Sequence, residues 1–297
     1  METLTFSPSA RFNRRQALPL GRVGIRNVRL QTVLERVAAK FNEAEVPLLV
    51  MKGCALMLDL YKLDDRPMDD IDLLIHPEHL PMARRLLHEI GASPGRALPT
   101  NDFCPRFYYE TEFRMGDVYP VKIDLHVRPF RPLRCSRLVP PDALWARARQ
   151  LSLGGATILV PGTEDMLIHL AVHAAYHGCS RRVWLQDIKL WSESHQAELD
   201  WALVLATIEQ WGVALPFRKG LECAEQEYGP ICPPRFRNRL SSMSASWRDR
   251  LALWQAPRDA AHPLAHVLVN FLCTPGLGFT LAYVRAVVRG SLQKSGA

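Results

Sequence analysis

Residues 66–75 read RPMDDIDLLI and place two closely spaced carboxylates at the start of an apolar run. The run Ile71–Ile75 predicts a buried strand. On a strand, Asp70 and Asp72 point to the same face, roughly 6.5–7 Å apart. Two carboxylates at that spacing can converge on one divalent ion or on a close pair of ions. Alone, this tripeptide is a weak signal, because an acidic segment is more often a solvated turn.

A strand–glycine–helix junction precedes this segment. The apolar residues 46–51 predict a second buried strand, Gly53 interrupts the run, and residues 54–61 follow a helical pattern. Such a junction lets backbone N–H groups at the start of a helix approach a phosphate, and Lys52 could add charge. The alternative is that Gly53 only makes a tight turn.

A third carboxylate lies in a later strand, predicted over residues 118–127. Alternation there places Lys122, Asp124 and His126 on one face and apolar residues on the other. Next to the first two carboxylates, Asp124 would complete a metal site. The alternative is that Asp124 pairs with Lys122 or with an arginine across the sheet.

The remaining pattern predicts an α+β fold, a mixed sheet flanked by helices, followed by an all-helical half. Residues 92–105 are predicted as a loop, Thr163 as a helix N-cap, and residues 1–21 as a loose basic lead. We therefore expect a catalytic half over 22–160 and a helical half over 161–297 that closes the cleft. The other predicted elements are helices at 23–43, 77–90, 164–178, 182–193, 199–211 and 214–228, a strand at 106–113, and a tight hairpin joining 151–153 to 157–160.

Taken together, these segments resemble the nucleotidyltransferase superfamily that includes DNA polymerase beta, and more narrowly a bacterial family of uncharacterised nucleotidyltransferases. The matching phrases are VPLLVMKGCALMLDLY (46–61), RPMDDIDLLI (66–75), KIDLHV (122–127), PGTEDMLIHLAVHAAYHG (161–178) and WLQDIKLW (184–191). The resemblance covers about residues 30–195. This sequence departs from the superfamily pattern in having Cys54 after Gly53, and a gap of seventeen residues from Gly53 to Asp70.

The resemblance implies a Mg²⁺- or Mn²⁺-dependent enzyme that uses an NTP, ATP being the expected donor. It implies that Asp70 and Asp72 hold the metal, and that Asp124 shares a second ion and accepts a proton from the attacking hydroxyl. It also implies that Lys52, Gly53, Cys54 and Arg66 contact the phosphates. Arg66 could instead pair with Asp65 or Asp69.

The helical half carries a histidine ladder. His169, His173 and His177 are four residues apart, so they share one face of the predicted helix. Packing is the favoured interpretation, and lining of an acceptor or nucleotide cleft, with His126, is the alternative. The sequence also predicts that Asp187 pairs with an arginine or histidine of the same half.

Composition limits the class of protein without naming the substrate. The 37 Lys and Arg against 30 Asp and Glu give a net charge of +7, and 30 of the 37 are Arg. This suits phosphate-bearing ligands, but no basic-aromatic stripe favours nucleic acid. None of the cysteines pair as C-x-x-C, and the N-terminal residues carry no secretory signal. These features predict a reduced, cytoplasmic protein. The apolar segment 266–284 is broken at 274–276, so it is predicted to form buried helices rather than a membrane span.

The predicted reaction is transfer of NMP to a hydroxyl of a small molecule or modified peptide. Four alternatives remain open at this stage: modification of a protein side chain, transfer to the 3′ end of an RNA, transfer of the γ-phosphoryl group by the same site, and nucleotide binding without catalysis. The oligomeric state also remains open.

Overall fold

Within the part of the chain described by the computed structural model, seven strands form one mixed sheet. The described residues are 20–95, 109–130 and 138–255, with single positions at 278, 281, 282 and 285. The basic lead up to residue 19 lies outside them, as does the apolar segment 266–284 apart from three of those single positions. The strands are β1 (Leu49–Met51), β2 (Asp70–Leu74), β3 (Ala92–Pro94), β4 (Glu110–Met115), β5 (Val121–His126), β6 (Arg149–Leu153) and β7 (Ala156–Val160).

The strand order β3-β4-β5-β2-β1-β7-β6 places the two predicted acidic strands next to each other in the centre. β2 and β5 are parallel, as are β1 and β7, whereas the other neighbouring pairs are antiparallel. All residues of β1, and all but the first of β2, are buried, as expected for central strands covered on both faces. The predicted mixed sheet with flanking helices is confirmed.

Helices cover the sheet and build the second half of the chain. Three of them belong to the first half, together with one 3₁₀ turn at Pro77–His79. The helices of the described residues are α1 (Arg22–Glu43), α2 (Lys52–Asp59), α3 (Leu80–Glu89), α4 (Thr163–Tyr176), α5 (Arg182–Ser194), α6 (Trp201–Gln210), α7 (Ala214–Tyr228), α8 (Pro234–Ser242) and α9 (Trp247–Gln255).

Two local predictions were wrong. The loop predicted at 92–105 begins with strand β3, which pairs antiparallel with β4. The pairing partner is distant in sequence, so no local pattern announces this short edge strand. Thr163 is the first residue of α4 rather than its N-cap. The N-cap is Gly162, which has no side chain to accept a hydrogen bond from the helix.

The predicted hairpin between β6 and β7 is confirmed. Its two turn residues, Gly154 and Gly155, have φ angles of 58° and 86°. Positive φ at both central positions defines a primed turn, which glycine adopts without steric cost. The strand predicted at 106–113 overlaps β4, which spans Glu110–Met115, and its first three residues lie outside the described ranges.

A single apolar cluster runs through both halves of the chain. It joins buried residues of α1 and the sheet, such as Phe41 and Ile71, to residues of the helical half, such as Leu167 and Trp191. Twelve of the fourteen residues of α4 are buried, so this helix lies in the middle of the protein. The division near residue 161 stays a prediction. No helix of the described ranges combines the length and apolar character that crossing a membrane would need.

Candidate active site

The two central strands bring the predicted acids together. In the parallel register of β2 and β5, Asp72 lies opposite Asp124, and Asp70 lies opposite Lys122. The Asp72 and Asp124 side chains are only 4% and 6% exposed. Side-chain alternation alone places Asp70 and Asp72 on one face, and strand pairing adds Asp124 to that face. The result is a buried acidic cluster at the centre of the sheet.

Two lysines neutralise this cluster. Lys52 Nζ lies 2.6 Å from Asp72 Oδ1, and Lys122 Nζ lies 2.6 Å from Asp124 Oδ2. Lys122 also lies 3.5 Å from Asp70 Oδ2. Adjacent buried carboxylates repel each other unless positive charge lies between them, and the ammonium groups supply it. Lys52, predicted to contact phosphate, is therefore placed on a carboxylate.

His126 adds a further contact to Asp72. Its Nε2 donates to Asp72 Oδ1 at 2.9 Å, and the ring is buried. Glu110, opposite His126 on β4, places Oε2 3.6 Å from the same nitrogen. Sequence reasoning did not single out Glu110, although its place in a strand beside β5 was a usable signal. The site is thus a network of acids bridged by two lysines and a histidine.

This network divides the carboxylates by pKa. Burial would raise the pKa of Asp72, but Lys52 and the hydrogen bond from His126 outweigh it and hold the pKa well below its usual range. Burial raises the pKa of Asp124 to about 6, the nearby Glu110 charge acts in the same direction, and the Lys122 hydrogen bond opposes both. Burial and the Asp72 charge also raise the pKa of Asp70. Asp72 is therefore fixed as an anion, whereas Asp124 is a better proton acceptor than an ordinary aspartate.

The donor atoms suit a divalent cation. Asp72, Asp124 and His126 each offer one ligand atom, and these atoms lie within 4.8 Å of one another. Asp124 Oδ1 is buried and has no hydrogen-bond partner among the described residues, so it is available as a ligand. This set has His126 in the place of Asp70, which the sequence predicted as a ligand with Asp72 and Asp124. Asp70 lies beside it, with a side chain that is 33% exposed.

The strand–glycine–helix junction has a crowded geometry. α2 begins directly after β1, and Lys52 adopts a φ of 49°, which side-chain-bearing residues rarely do. A Cβ at Gly53 would lie 2.7 Å from Nη1 of Arg66, so glycine is needed for this close approach. The Cys54 thiol donates to the backbone oxygen of Asp70 at 3.5 Å, and burial raises the pKa of that thiol.

Arg66 forms a buried two-point ion pair with Asp187 of α5. Nε donates to Asp187 Oδ1 at 2.8 Å and Nη2 donates to Oδ2 at 2.7 Å. Tyr61 donates its hydroxyl to Asp187 Oδ1 at 2.9 Å. Asp187 was predicted to pair within the helical half, which is wrong, because its arginine comes from the segment before β2. The pair ties that segment to the helical half.

Other acids near β2 have structural partners. Asp64 accepts from the N–H of Gly24 at 2.7 Å, near the start of α1. Asp65 accepts from the N–H of Lys62 at 3.1 Å, within its own turn. Asp59 pairs with Arg149. These contacts separate the acids that shape the segment from those that form the cluster.

A cavity of about 200 Å³ lies between the acidic cluster and the helices α4 and α5. His173 and His177 line its helical wall, and both rings lie against Trp184, with centroids 5.0 and 5.1 Å away. The residues that line the cavity include Lys52, Gly53, Arg66, Asp69, Asp70, Asp72, Glu110, Lys122, Asp124, His173, His177, Arg181, Val183, Trp184 and Asp187.

His169 is not among the residues that line this cavity. It is 1% exposed and stacks on Phe130, with centroids 5.4 Å apart. Burial, helped by the Lys52 charge, lowers its pKa to about 3. His173 lies between His169 and the cavity, and burial lowers its pKa as well. The ladder thus runs from the core to the cavity wall.

Comparison with known protein families shows the class to which this chain belongs. A family model described as uncharacterised nucleotidyltransferase matches residues 7–229. The chain belongs to this family. A comparison with curated proteins gave no match.

Solved structures give weaker similarities. ANT(2″)-Ia in complex with adenylyl-2″-tobramycin is 16% identical, with 61% of this chain and 98% of that chain covered and a TM-score of 0.45. The nucleotidyltransferase toxin MenT4 from Mycobacterium tuberculosis is 12% identical, with 85% and 95% covered and a TM-score of 0.45. An antigenic nucleotidyltransferase-like protein from Paracoccidioides brasiliensis is 15% identical, with 74% and 95% covered, at the same TM-score. Similarity at this level carries no argument about the substrate.

Proposed function

We propose that this enzyme uses Mg²⁺ or Mn²⁺ and an NTP, with ATP as the favoured donor, to transfer NMP to a hydroxyl acceptor. The acceptor is a small molecule or a modified peptide. The observation that carries the proposal is that Asp72 lies opposite Asp124 at the wall of a cavity, with one Asp124 oxygen buried and without a hydrogen-bond partner among the described residues. This arrangement would be costly for a purely structural cluster.

Asp72, Asp124 and Asp70 would hold the metal, with His126 orienting Asp72. When bound, the metal supplies positive charge that neutralises the phosphates. Lys52 and Lys122 line the same cavity, and each could leave its carboxylate once a bound cation neutralises the acids. They would then be available to phosphate oxygens, as the sequence predicts for Lys52.

Asp124 supplies the base. In the transfer, the acceptor oxygen forms a bond to the α-phosphorus, the bond from that phosphorus to the β-phosphate oxygen breaks, and pyrophosphate leaves. The hydroxyl proton passes to Asp124. In the ligand-free protein, burial and the Glu110 charge raise the pKa of Asp124 to about 6, so the carboxylate is largely ionised at neutral pH and able to accept a proton. Holding the acceptor hydroxyl near the Asp124 carboxylate makes the attack on the α-phosphorus effectively intramolecular.

The acceptor end of the cavity favours a small ligand. The helical wall of the cavity carries His173, His177 and Trp184, with the Arg181 guanidinium over the Trp184 ring, and it forms a surface of rings with one cation rather than an extended basic groove. Ring surfaces suit a planar or sugar-bearing molecule, whereas a nucleic-acid strand needs a charged track along its backbone. This surface supports a small-molecule or peptide acceptor over RNA.

The test uses NTPs labelled at the α or γ position. Each labelled NTP is incubated with Mg²⁺, the enzyme and a panel of hydroxyl-bearing antibiotics, nucleosides and peptides, and products are separated by mass. Transfer of α label with release of pyrophosphate supports the proposal. Transfer of γ label would replace it with a kinase, and NTP binding without any transfer would replace it with a binding protein. The Asp124→Asn variant provides the background.

A further inference from the structure

Three cations of the cavity wall are bound by carboxylates that are almost completely buried. Removing a partner from a buried charge is costly, so the ligand-free protein holds these cations tightly. The pairs are Lys52 with Asp72, Lys122 with Asp124 and Arg66 with Asp187, whose carboxylate side chains are 4%, 6% and 1% exposed.

Arg181 also lines the cavity, but its partner is at the surface. Nη1 and Nη2 each lie 3.0 Å from Asp69 Oδ2, and the two side chains are 50% and 44% exposed. Exposed ion pairs contribute little to stability. Asp69 has a second guanidinium, because Arg26 Nη2 lies 2.9 Å from Asp69 Oδ1. Asp69 therefore keeps a partner when Arg181 leaves it.

The position of Arg181 suits an anion in the cavity. It is the residue directly before α5, and its guanidinium lies over the ring of Trp184, with Cζ 5.2 Å from the ring centroid. Val183 and Trp184 of the first helical turn also line the cavity, and that turn contains no acidic residue. The positive end of the helix adds to the charge of the guanidinium, whose planar fork matches two phosphate oxygens.

We propose that Arg181 binds the outer phosphates of the NTP, and that Asp69 holds it at the rim of the cavity until the NTP arrives. This inference rests on the proposed function, because it names a side chain for the triphosphate of that donor. On binding, Arg181 exchanges Asp69 for phosphate oxygens while Arg26 remains on Asp69. As the bond to the α-phosphorus breaks, the electron pair stays on pyrophosphate, and the guanidinium stabilises the growing negative charge.

The chain offers a matched control for this role. Arg181→Gln and Arg26→Gln each remove one guanidinium from Asp69, but Arg26 is not among the residues that line the cavity. Calorimetry with Mg²⁺ would compare inorganic tripolyphosphate, the four NTPs and the corresponding NMPs. We expect Arg181→Gln to weaken tripolyphosphate and NTP binding about tenfold or more and to leave NMP binding within about twofold. We expect Arg26→Gln to change either by less than about twofold, and Arg181→Lys to lie in between.

Several results would overturn the role of Arg181 while leaving the proposed function intact. One is an Arg181→Gln variant that binds NTP as wild type does. Another is an equal loss in Arg26→Gln, which would indicate only a change in surface charge. A third is an equal loss for NMP and NTP. A wild-type protein that binds none of the four NTPs would instead overturn the proposed function itself. Circular dichroism of each variant confirms the fold.

Discussion

The carboxylates of Asp72 and Asp124 lie opposite each other on the parallel strands β2 and β5, and each is bound by its own lysine at 2.6 Å. Lys52 reaches Asp72 from the junction of β1 and α2, whereas Lys122 reaches Asp124 along the same strand. The two carboxylates can therefore lie close together because a separate lysine neutralises each of them. Their environments differ enough to give one fixed anion and one base.

Asp124→Asn should lower nucleotide transfer by at least ~10², because an amide cannot accept the acceptor proton. NTP affinity should stay within a few-fold of wild type. Turnover and calorimetric binding are measured on the same preparation. Glu110→Gln is a graded comparison rather than a neutral control, since it keeps the base but removes a charge that raises the pKa of Asp124, so its loss of turnover should be much smaller. An Asp124→Asn enzyme with full turnover would remove this residue from the mechanism.

The double change Asp70→Asn and Asp72→Asn should abolish the rise in melting temperature that Mg²⁺ plus NTP gives the wild type. A ligand that binds only the folded state stabilises it by linkage, so losing the site loses the shift. Differential scanning fluorimetry measures the shift with and without both ligands. Asp65→Asn, an acid of the same segment bound within its own turn, should shift as wild type does. A normal shift in the double variant would place the site elsewhere.

Asp187→Asn should destabilise the protein by about 3–5 kcal/mol, because it leaves the Arg66 guanidinium buried without an anion. Urea unfolding measures the free energy of unfolding. Tyr61→Phe removes only one hydrogen bond to the same carboxylate and should cost about 1 kcal/mol. A loss no larger than that of Tyr61→Phe would show that the ion pair is not needed to hold α5 in place.

His169→Leu should reduce the loss of stability in mild acid. Burial holds the pKa of His169 at about 3, whereas an unfolded histidine titrates near about 6.5. Below about pH 6.5 the unfolded chain binds a proton that the folded chain does not, so stability falls by up to roughly 1.4 kcal/mol per pH unit until the folded pKa is reached.

Urea unfolding at about pH 7 and about pH 5 measures this loss for wild type and for His169→Leu. The variant should lose less, while the contribution of His173, whose pKa is also lowered, remains. The exposed His88 provides the control as His88→Leu, which should keep the wild-type loss. An unchanged loss in His169→Leu would show that its titration does not affect folding.

Residues 22–160 expressed alone should be poorly soluble. The helical half packs on the sheet half within one apolar cluster, so the fragment would expose the surface that α4 covers. Light scattering and size-exclusion chromatography measure its state. A monodisperse, folded fragment would contradict a shared core and favour two independent units.

The sequence was sufficient for the strands that carry the acids, because β2 and β5 have strong local patterns. Alternation predicts that Asp70 and Asp72 share a face, and the family resemblance predicts that Asp124 joins them at one metal site. The sequence could not supply β3, since its three residues, which end in Pro94, form a strand only through pairing with β4.

The partners of the cluster were harder to predict for the same reason. Arg66 and Asp187 are 121 residues apart, and no spacing rule links them. Glu110 and Arg181 reach the site through strand pairing and helix packing, which a local pattern does not encode. The chemistry of the acids and the Lys122–Asp124 pair were thus predictable, whereas the Lys52–Asp72 and Arg66–Asp187 pairs depend on tertiary structure.

The Arg66–Asp187 pair also limits how members of this family can recombine. A crossover near residue 161 would separate the arginine from its aspartate, while Gly53 leaves room for the guanidinium. Chimeras built from two relatives should therefore fold only when both parents carry both residues of the ion pair. Across the family, positions 53, 66 and 187 should change together or not at all, and an alignment of diverse homologues would reveal that covariation.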